Sequence, residues 1–568
     1  MEFRLASAAF IAVLATYLFL GAMGDTQFGN QRPRDAAYNL LARGLLSGHL
    51  SLDKDAPPVL ARLADPYDPA ANGAARDPRD RLNDLSYFGG KLYLYFGIAP
   101  ALLVFIPWHL LTGGWLPHWT AVVLLCSLGL LVNLSLVNSV KTRVFPGAGP
   151  WLMAACTLIL GYASYAPLLV SRGDMWEIPI AFSYLSVSIA LRCLWVAHCE
   201  PGRSVKWIAF ASAALGAAFA ARPTVLPNAA ILLLPLVWPQ NRRNARAWAA
   251  AMLPVTACGL GVALYNAERF GNPFDFGMTY QLAGVYVAKL HTFSPSYIGT
   301  NLGFYLFQGV RWSAIFPFAH EPALPMPSSL PAGHGGFQQI SGALFNAPIL
   351  WAALAIPLFL RLRRPDPSLH LICFSAAWVA LSSLGLLSFF YGACARYQFE
   401  FVPAMALLAS IGLLALDAAA EGRLRAVAFC ALAPALMLSA AFPLLYGIDR
   451  CTSDHNTSGI TYLAYGDIAG AAREFDDAQF LSPGNPVSRL GEGMMLGLEG
   501  RRREARAGLE ALVRDFPDYA TARLSLGSLL SQLGQRDEAV LQLEAAHRLD
   551  PQNAAISAAL SSAMKGGK

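Results

Sequence analysis

The chain has 568 residues, of which 55% are hydrophobic and only 14% charged, and its mean hydropathy is +0.43. Soluble domains carry about 25% charged residues, so this composition excludes a soluble enzyme and indicates a polytopic membrane protein. The net charge of +6 comes without a basic cluster interleaved with aromatics on one soluble face, which argues against a nucleic-acid partner.

The first apolar run, "LASAAFIAVLATYLFLGAM", approaches the roughly 20 residues that cross a bilayer. Arg4 ahead of it and small residues near Ala22 give it the look of a secretory signal. More apolar runs follow, so it is read as an uncleaved first span. Short basic gaps between spans belong on the cytoplasmic side. Here they are Lys141/Arg143, Arg203/Lys206, Arg242/Arg243/Arg246, Arg361/Arg363/Arg364 and Arg423/Arg425. Spans are then expected at about 7–23, 117–139, 150–171, 176–198, 207–221, 224–238, 247–266, 346–361, 370–390, 399–417 and 425–447. A crossing by the apolar stretch 93–112 would move "VKTRVF" outside, so that stretch is expected to be juxtamembrane or re-entrant. Three regions remain on the outer side: 24–92, 267–345 and everything after about 448.

Directly after the first span comes "NQRPRDAAYNLLARGLLSGHL". Ala36, Ala37, Leu40, Leu41, Gly44 and Leu45 form one helical stripe, with Asn39 and Arg43 opposite, the pattern of a helix lying in the membrane interface. Asp35 at its start reads either as an N-cap or as a functional carboxylate. Further along, "SRGDMWEIPIAF" places Asp174 and Glu177 at an outer turn, and "FAARPTVLPN" places Arg222 at the next. "YGACARYQFEFVP" places Arg396, Tyr397 and Glu400 at the outer entrance of another span. Singly, such residues anchor helix ends at the interface. Together they put carboxylates and guanidinium groups at the outer leaflet, which suits a phosphate leaving group and an acid–base step. "FGNPFDFGMTYQLAG" fits equally a cover over such a site and an ordinary surface loop.

The nine cysteines show neither CxxC nor zinc spacing. Cys394 and Cys451 both fall on the expected outer side, which leaves a disulfide open. The span interiors hold almost no acidic residues, which disfavours an ion-coupled transporter. There is no P-loop, HExxH or GxSxG, so ATPase, zinc protease and serine hydrolase chemistry are set aside.

The tail repeats. Gly459/Gly493/Gly527, Ala471/Ala505/Ala539, Phe475/Leu509/Leu543 and Pro483/Pro517/Pro551 align at a period of 34, the tetratricopeptide pattern of stacked helix pairs. Repeats at 452–485, 486–519 and 520–553, with a capping helix after them, make a second domain over 452–568 behind a membrane domain over 1–450. The fold class is all-α: a bundle of about 11–12 spans followed by a soluble helical solenoid. Such arrays bind peptides or proteins, or serve assembly.

Taken together, "DAAYNLLARGLLSGHL", "YFGGKLYLYFGIAPALLVFIP", "GDMWEIPIAF", "AARPTVLP", "YNAERFGNPFDFGMTYQLAG" and "ARYQFEFVPAMALLA" resemble the glycosyltransferase C superfamily over about residues 1–450. Its members, protein O-mannosyltransferases and aminoarabinose transferases among them, use polyprenyl-phosphate sugars. The resemblance implies a general base in the first outer loop, a role Asp35 fits. Relatives often pair two acidic residues there, whereas Arg34 and Ala36 flank Asp35, so Asp25 is the other candidate and use of a divalent cation stays open. A second acidic residue corresponds to Glu177 or Asp174. Arg222 or Arg396, with Tyr397, would bind the donor phosphate in a single inverting displacement. The implied partners are a polyprenyl-phosphate sugar, a protein or glycan acceptor, the bilayer, and a protein held by the repeats. The expected location is a bacterial inner membrane with periplasmic repeats, an endoplasmic reticulum membrane with lumenal repeats obeying the same charge rule. The competing expectation is a non-catalytic membrane scaffold for envelope assembly.

Overall fold

The computed structural model describes residues 2–24, 32–75, 82–239, 241–322, 329–363 and 366–565. Two compact units emerge. The first comprises the described residues up to Gly447 apart from Ser313–Phe318; the second comprises Ser313–Phe318 and the chain from Ile448 onward.

The first unit is a helical bundle. Among the described residues, nine helices are long and apolar enough to cross a membrane. They include α1 (Glu2–Met23), α3 (His118–Val144), α5 (Glu177–Cys199), α6 (Ser204–Ala221), α7 (Ala245–Phe270), α8 (Pro367–Ser388) and α9 (Val402–Ala419). Between α3 and α5 lies the broken span Leu152–Val170, whose first helix, α4, is Leu152–Leu158. The remaining span belongs to α10 (Gly422–Ala464). Three shorter apolar helices accompany them: Ala101–Thr112, Pro223–Val237 and Pro348–Arg361.

The stretch Pro223–Val237 is wound as a 3-10 helix, with Pro227 and Pro235 inside it. Proline removes backbone donors and disfavours continuous α winding. At about 2.0 Å per residue, a 3-10 segment of this length rises about 30 Å, the thickness of the hydrocarbon core. Asn228 secures it to α8 by accepting from the Ser382 hydroxyl at 2.7 Å. Small residues let the true helices approach. A Cβ on Gly129 of α3 would sit 2.2 Å from the Tyr184 ring of α5, so only glycine allows this crossing.

The short helix α2 (Ala37–Leu46) departs from the expected interface helix. Its polar side is buried: Asn39 is fully enclosed and its amide donates to the carbonyls of Pro33 (2.7 Å) and Leu116 (2.8 Å). Arg43 pairs with Asp53 at 2.5 Å. A polar stripe that satisfies backbone carbonyls has the same sequence period as one that faces water, which is why the pattern misled. The N-cap position of α2 is Ala36, without a side-chain cap bond. Cys394 and Cys451, open for a disulfide on sequence, are both buried and neither is in a disulfide.

The regions 32–92 and 267–290 of this unit are tied together. Strands β1 (Leu85–Phe88) and β2 (Lys91–Leu94) form an antiparallel hairpin. The Ser86 hydroxyl donates to the Gly277 carbonyl at 2.8 Å, and the Leu282 N–H donates to the Leu85 carbonyl at 2.9 Å. Tyr286 donates its hydroxyl to Asp65, and the rings of Phe88, Phe270 and Tyr280 pack together. Just beyond β2, Gly97 donates its N–H to the Ala221 carbonyl at 3.1 Å. A Cβ there would lie 1.9 Å from the Ala220 carbonyl oxygen, so glycine is required for the hairpin to seat on the end of α6.

The second unit stacks α11 (Ile468–Leu481), α12 (Pro486–Leu498), α13 (Arg502–Asp515), α14 (Ala520–Gln532), α15 (Arg536–Leu549) and α16 (Ala554–Lys565) in succession after the end of α10. The repeat columns acquire a physical cause. A Cβ on Gly459, Gly493 or Gly527 would approach Phe475, Leu509 or Leu543 to 2.7, 2.8 and 2.7 Å respectively. Each glycine is the seat of the large apolar residue from the next helix, and the alanine column closes the same contact, Ala471, Ala505 and Ala539 being fully buried. Ser313–Phe318 joins this unit, the Ser482 hydroxyl donating to the Phe316 carbonyl at 2.6 Å.

Candidate functional site

The site is built at four helix ends of the first unit. Arg222 ends α6 in extended backbone, φ −149° and ψ 107°, which turns its side chain across to the segment before α9. There it forms an ion pair with Glu400, whose other oxygen accepts the Thr224 hydroxyl at 2.9 Å. The pair is well enclosed, with Arg222 side chain 10% and Glu400 side chain 2% exposed. Two cations pack on Tyr397, the Arg222 guanidinium 5.0 Å and the Arg396 guanidinium 5.2 Å from its ring centre. Arg396 donates to Gln338 at 2.9 Å. The pairing of Phe337–Gln338 with Ala393–Cys394 holds that glutamine in place.

The acidic turn before α5 adds a second group. His118 Nδ1 lies 3.2 Å from Asp174, and its Nε2 accepts the Tyr38 N–H at 3.3 Å. With Nε2 accepting, the Nδ1 hydrogen faces the carboxylate. Burial alone would push the Asp174 carboxyl up. The His118 hydrogen bond, the Met175 N–H and the Arg172 guanidinium reverse this and hold it below the usual carboxylate value. Glu177, 1% exposed, accepts the Asp174 N–H at 3.3 Å, and its charge reaches Arg396. Between the two, Trp176 donates its indole N–H to Asp84 at 2.8 Å and carries the Arg172 guanidinium on its ring face at 4.9 Å. Tyr95 feels Asp84, Arg396 and Arg222, and burial is the largest cause of its raised phenol pKa.

Glu177, Asp174, Arg222, Arg396 and Tyr397 are thus linked by contacts or by their fields. Asp35 presents itself differently: its side chain is 56% exposed and stands 3.8 Å from Arg43. Asp25 lies outside the described residues. Among the described residues no three His, Cys, Asp or Glu side chains come together as a metal site.

Two features decide what the arrangement does chemically. Arg222 is neutralised by Glu400, whereas Arg396 has an amide and a ring as partners and no carboxylate within ion-pair distance among the described residues. A further buried cation, Arg269, donates to the Leu94 carbonyl at 2.8 Å and to Asn266 at 2.7 Å, and stacks 3.8 Å from the Tyr265 ring centre. Beside Glu400 a small cavity of about 30 Å³ lies among the spans, its polar lining supplied by Asn133, Ser183, Tyr184, Ser188 and Asn228. Sequence reasoning missed Asp84, His118, Trp176, Thr224, Gln338 and Arg269. The proline ahead of His118 and the aromatic-rich run after Asp84 were the only local signals.

No protein-family model matches the chain, and no curated protein sequence matches it. Among solved structures it is similar to ArnT from Cupriavidus metallidurans bound to undecaprenyl phosphate, at 13% identity and a TM-score of 0.40, over 90% of this chain and 80% of that one. It is also similar to yeast Tom70, at 13% identity and a TM-score of 0.19, over 76% of this chain and 80% of that one. Likeness at these scores assigns no role to any residue here.

Proposed function

We propose that this integral membrane protein is a glycosyltransferase that moves a sugar from a polyprenyl-phosphate donor to a hydroxyl acceptor on the outer face, with inversion. The observation that carries the reading is Arg396, without an ion pair among the described residues, set on Tyr397 beside a second cation paired with Glu400. A leaving phosphate gains most from a cation whose charge is not already matched. The Glu177 and Asp174 carboxylates and the half-buried aromatics beside it suit a sugar at the membrane surface, and the sequence resemblance names the donor class. The repeats would dock a protein acceptor or partner. Basic residues at the ends of α3 and ahead of α6, α7 and α10 support a cytoplasmic inner edge, with the repeats in a bacterial periplasm.

The test is sugar release by the purified protein from a panel of undecaprenyl-phosphate-linked pentoses and hexoses, with cell-envelope extract as acceptor. Arg396→Ala is expected to lose about 100-fold or more in turnover, the magnitude of one transition-state donor, and Arg396→Lys to recover part of it. A wild type inert toward every donor would favour the scaffold instead.

A further inference from the structure

We propose that His334 is a positioning residue for Arg396: while neutral it latches the strap 331–338 so that Gln338 meets the guanidinium, and on taking a proton it lets the strap go. The strap, "PAGHGGFQ", reaches the site at its last residue, where the Gln338 side chain accepts from Arg396 at 2.9 Å. Its backbone is laid along the segment just before Arg396. Gly335 donates its N–H to the Tyr391 carbonyl at 2.6 Å, and Ala393 donates to the Gly336 carbonyl at 3.2 Å. Phe337–Gln338 then pairs in parallel with Ala393–Cys394. A Cβ on Gly335 would lie 2.7 Å from the Tyr391 ring, so the approach needs glycine there. Two paired residues do not hold a strap by themselves.

His334 supplies the anchor, through both ring nitrogens. Nδ1 accepts the Gly336 N–H at 2.9 Å, and Nε2 lies 3.0 Å from the Asn301 side-chain oxygen. Asn301, fully buried in the helix Ile298–Phe307, donates its amide to the carbonyls of Ser388 at 3.0 Å and Phe390 at 2.8 Å. Those bonds turn its oxygen toward His334, so Nε2 carries the hydrogen and Nδ1 carries none. The ring stands edge-on to Tyr297, 5.3 Å between centres, and 4.9 Å from Phe337, which itself stacks on Phe304 at 3.8 Å. A proton can therefore enter only at Nδ1, where it meets the Gly336 N–H. Donor then faces donor, and the bond that closes the strap is lost.

The titratable side chains on the elements packed around the ring are His291, Tyr297, Tyr391 and Cys394. Glu321 accepts the Gln339 N–H at 3.0 Å, just past the strap, and Arg396 lies beyond Gln338. Burial is what acts on the imidazole, and it lowers the His334 pKa. With the folded value below the ordinary 6.5, the latch is complete above that pH and is lost as pH falls through the lower value. That release loosens the grip of Arg396 on a phosphate rests on the transferase reading above; the latch itself does not.

The experiment measures backbone hydrogen exchange, corrected for the intrinsic pH dependence of amide exchange, in full-length wild type, His334→Asn and His334→Phe between about pH 4.5 and pH 8. Peptides covering 331–338 and 391–396 report the strap, and protection of α13 in the repeats is the check on folding. The wild-type strap is expected to lose about tenfold in protection toward acid pH, roughly the worth of one hydrogen bond. His334→Asn keeps an acceptor for the Gly336 N–H and does not titrate, so its strap should stay protected throughout. His334→Phe should be open throughout. A wild-type strap indifferent to pH, or an equal fall in His334→Asn, overturns the proposal. Binding of undecaprenyl phosphate is followed in parallel as the ratio of His334→Asn to wild type at each pH, which cancels the titration of the lipid phosphate itself at about pH 6. The ratio should rise from about one at the alkaline end to about 3–10 at the acid end; a ratio of about one throughout overturns the positioning role. A wild type that binds no lipid phosphate while its strap titrates supports the latch and sinks the donor reading.

Discussion

The Arg222–Glu400 pair gives the sharpest quantitative test. Both side chains are nearly withdrawn from solvent, so removing one leaves the other as an uncompensated buried charge, which typically costs about 3–5 kcal/mol. The two deletions should differ. In Arg222→Gln, Glu400 keeps only the Thr224 hydroxyl and the loss should lie at the upper end of that range. In Glu400→Gln, Arg222 keeps its place over Tyr397, a contact of about 0.5–2 kcal/mol, which brings the loss toward the lower end. In the double variant no charge is stranded, and it should be more stable than Arg222→Gln alone by about 1 kcal/mol or more, a coupling typical of residues in contact. The assay is equilibrium unfolding of all four proteins in mixed micelles by titration with a denaturing detergent. Strict additivity, or single losses below about 0.5 kcal/mol, would refute the reading of a desolvated pair.

Gly97→Ala places a Cβ against the Ala220 carbonyl and should separate the hairpin from α6, seen as a collapsed yield of folded protein; a normal yield would show that the contact yields easily. In the repeats, Gly493→Val and Gly527→Val drive side-chain atoms into Leu509 and Leu543, an overpacking cost of about 1–3 kcal/mol. Limited proteolysis should then cut after residue 448 and spare the spans. The Asp174 carboxyl lies below its ordinary value of 3.8, so its stabilising contribution is complete above that pH and is lost as pH falls through the lower folded value. His118→Phe should move that loss to higher pH, read as thermal stability between pH 3 and 6; an unchanged acid profile would separate Asp174 from His118.

Much of this architecture is written locally. Long apolar runs report spans because no water satisfies the backbone inside a bilayer, and the glycine and alanine columns report the repeats because each marks one fixed contact. The charged residues at these helix ends were legible as a set, yet their partners were not. Arg222 and Glu400 are far apart in the chain, and nothing near either shows that the two pair. Asp84 was invisible for a similar reason, since its partner Trp176 comes from another loop. The buried polar side of α2 shows the reverse failure, a legible period with the wrong environment attached.

The winding of Pro223–Val237 carries a consequence for the depth of the whole site. The same 15 residues as an α-helix would rise about 1.5 Å each instead of about 2.0 Å, shortening the crossing by roughly 7 Å. That exceeds the reach of an ion pair. The tight coil therefore acts as a measuring rod: with its inner end fixed, it sets the height at which Arg222 and Thr224 meet Glu400. Register in the bilayer, usually assigned to aromatic anchors, is here also a matter of helix gauge.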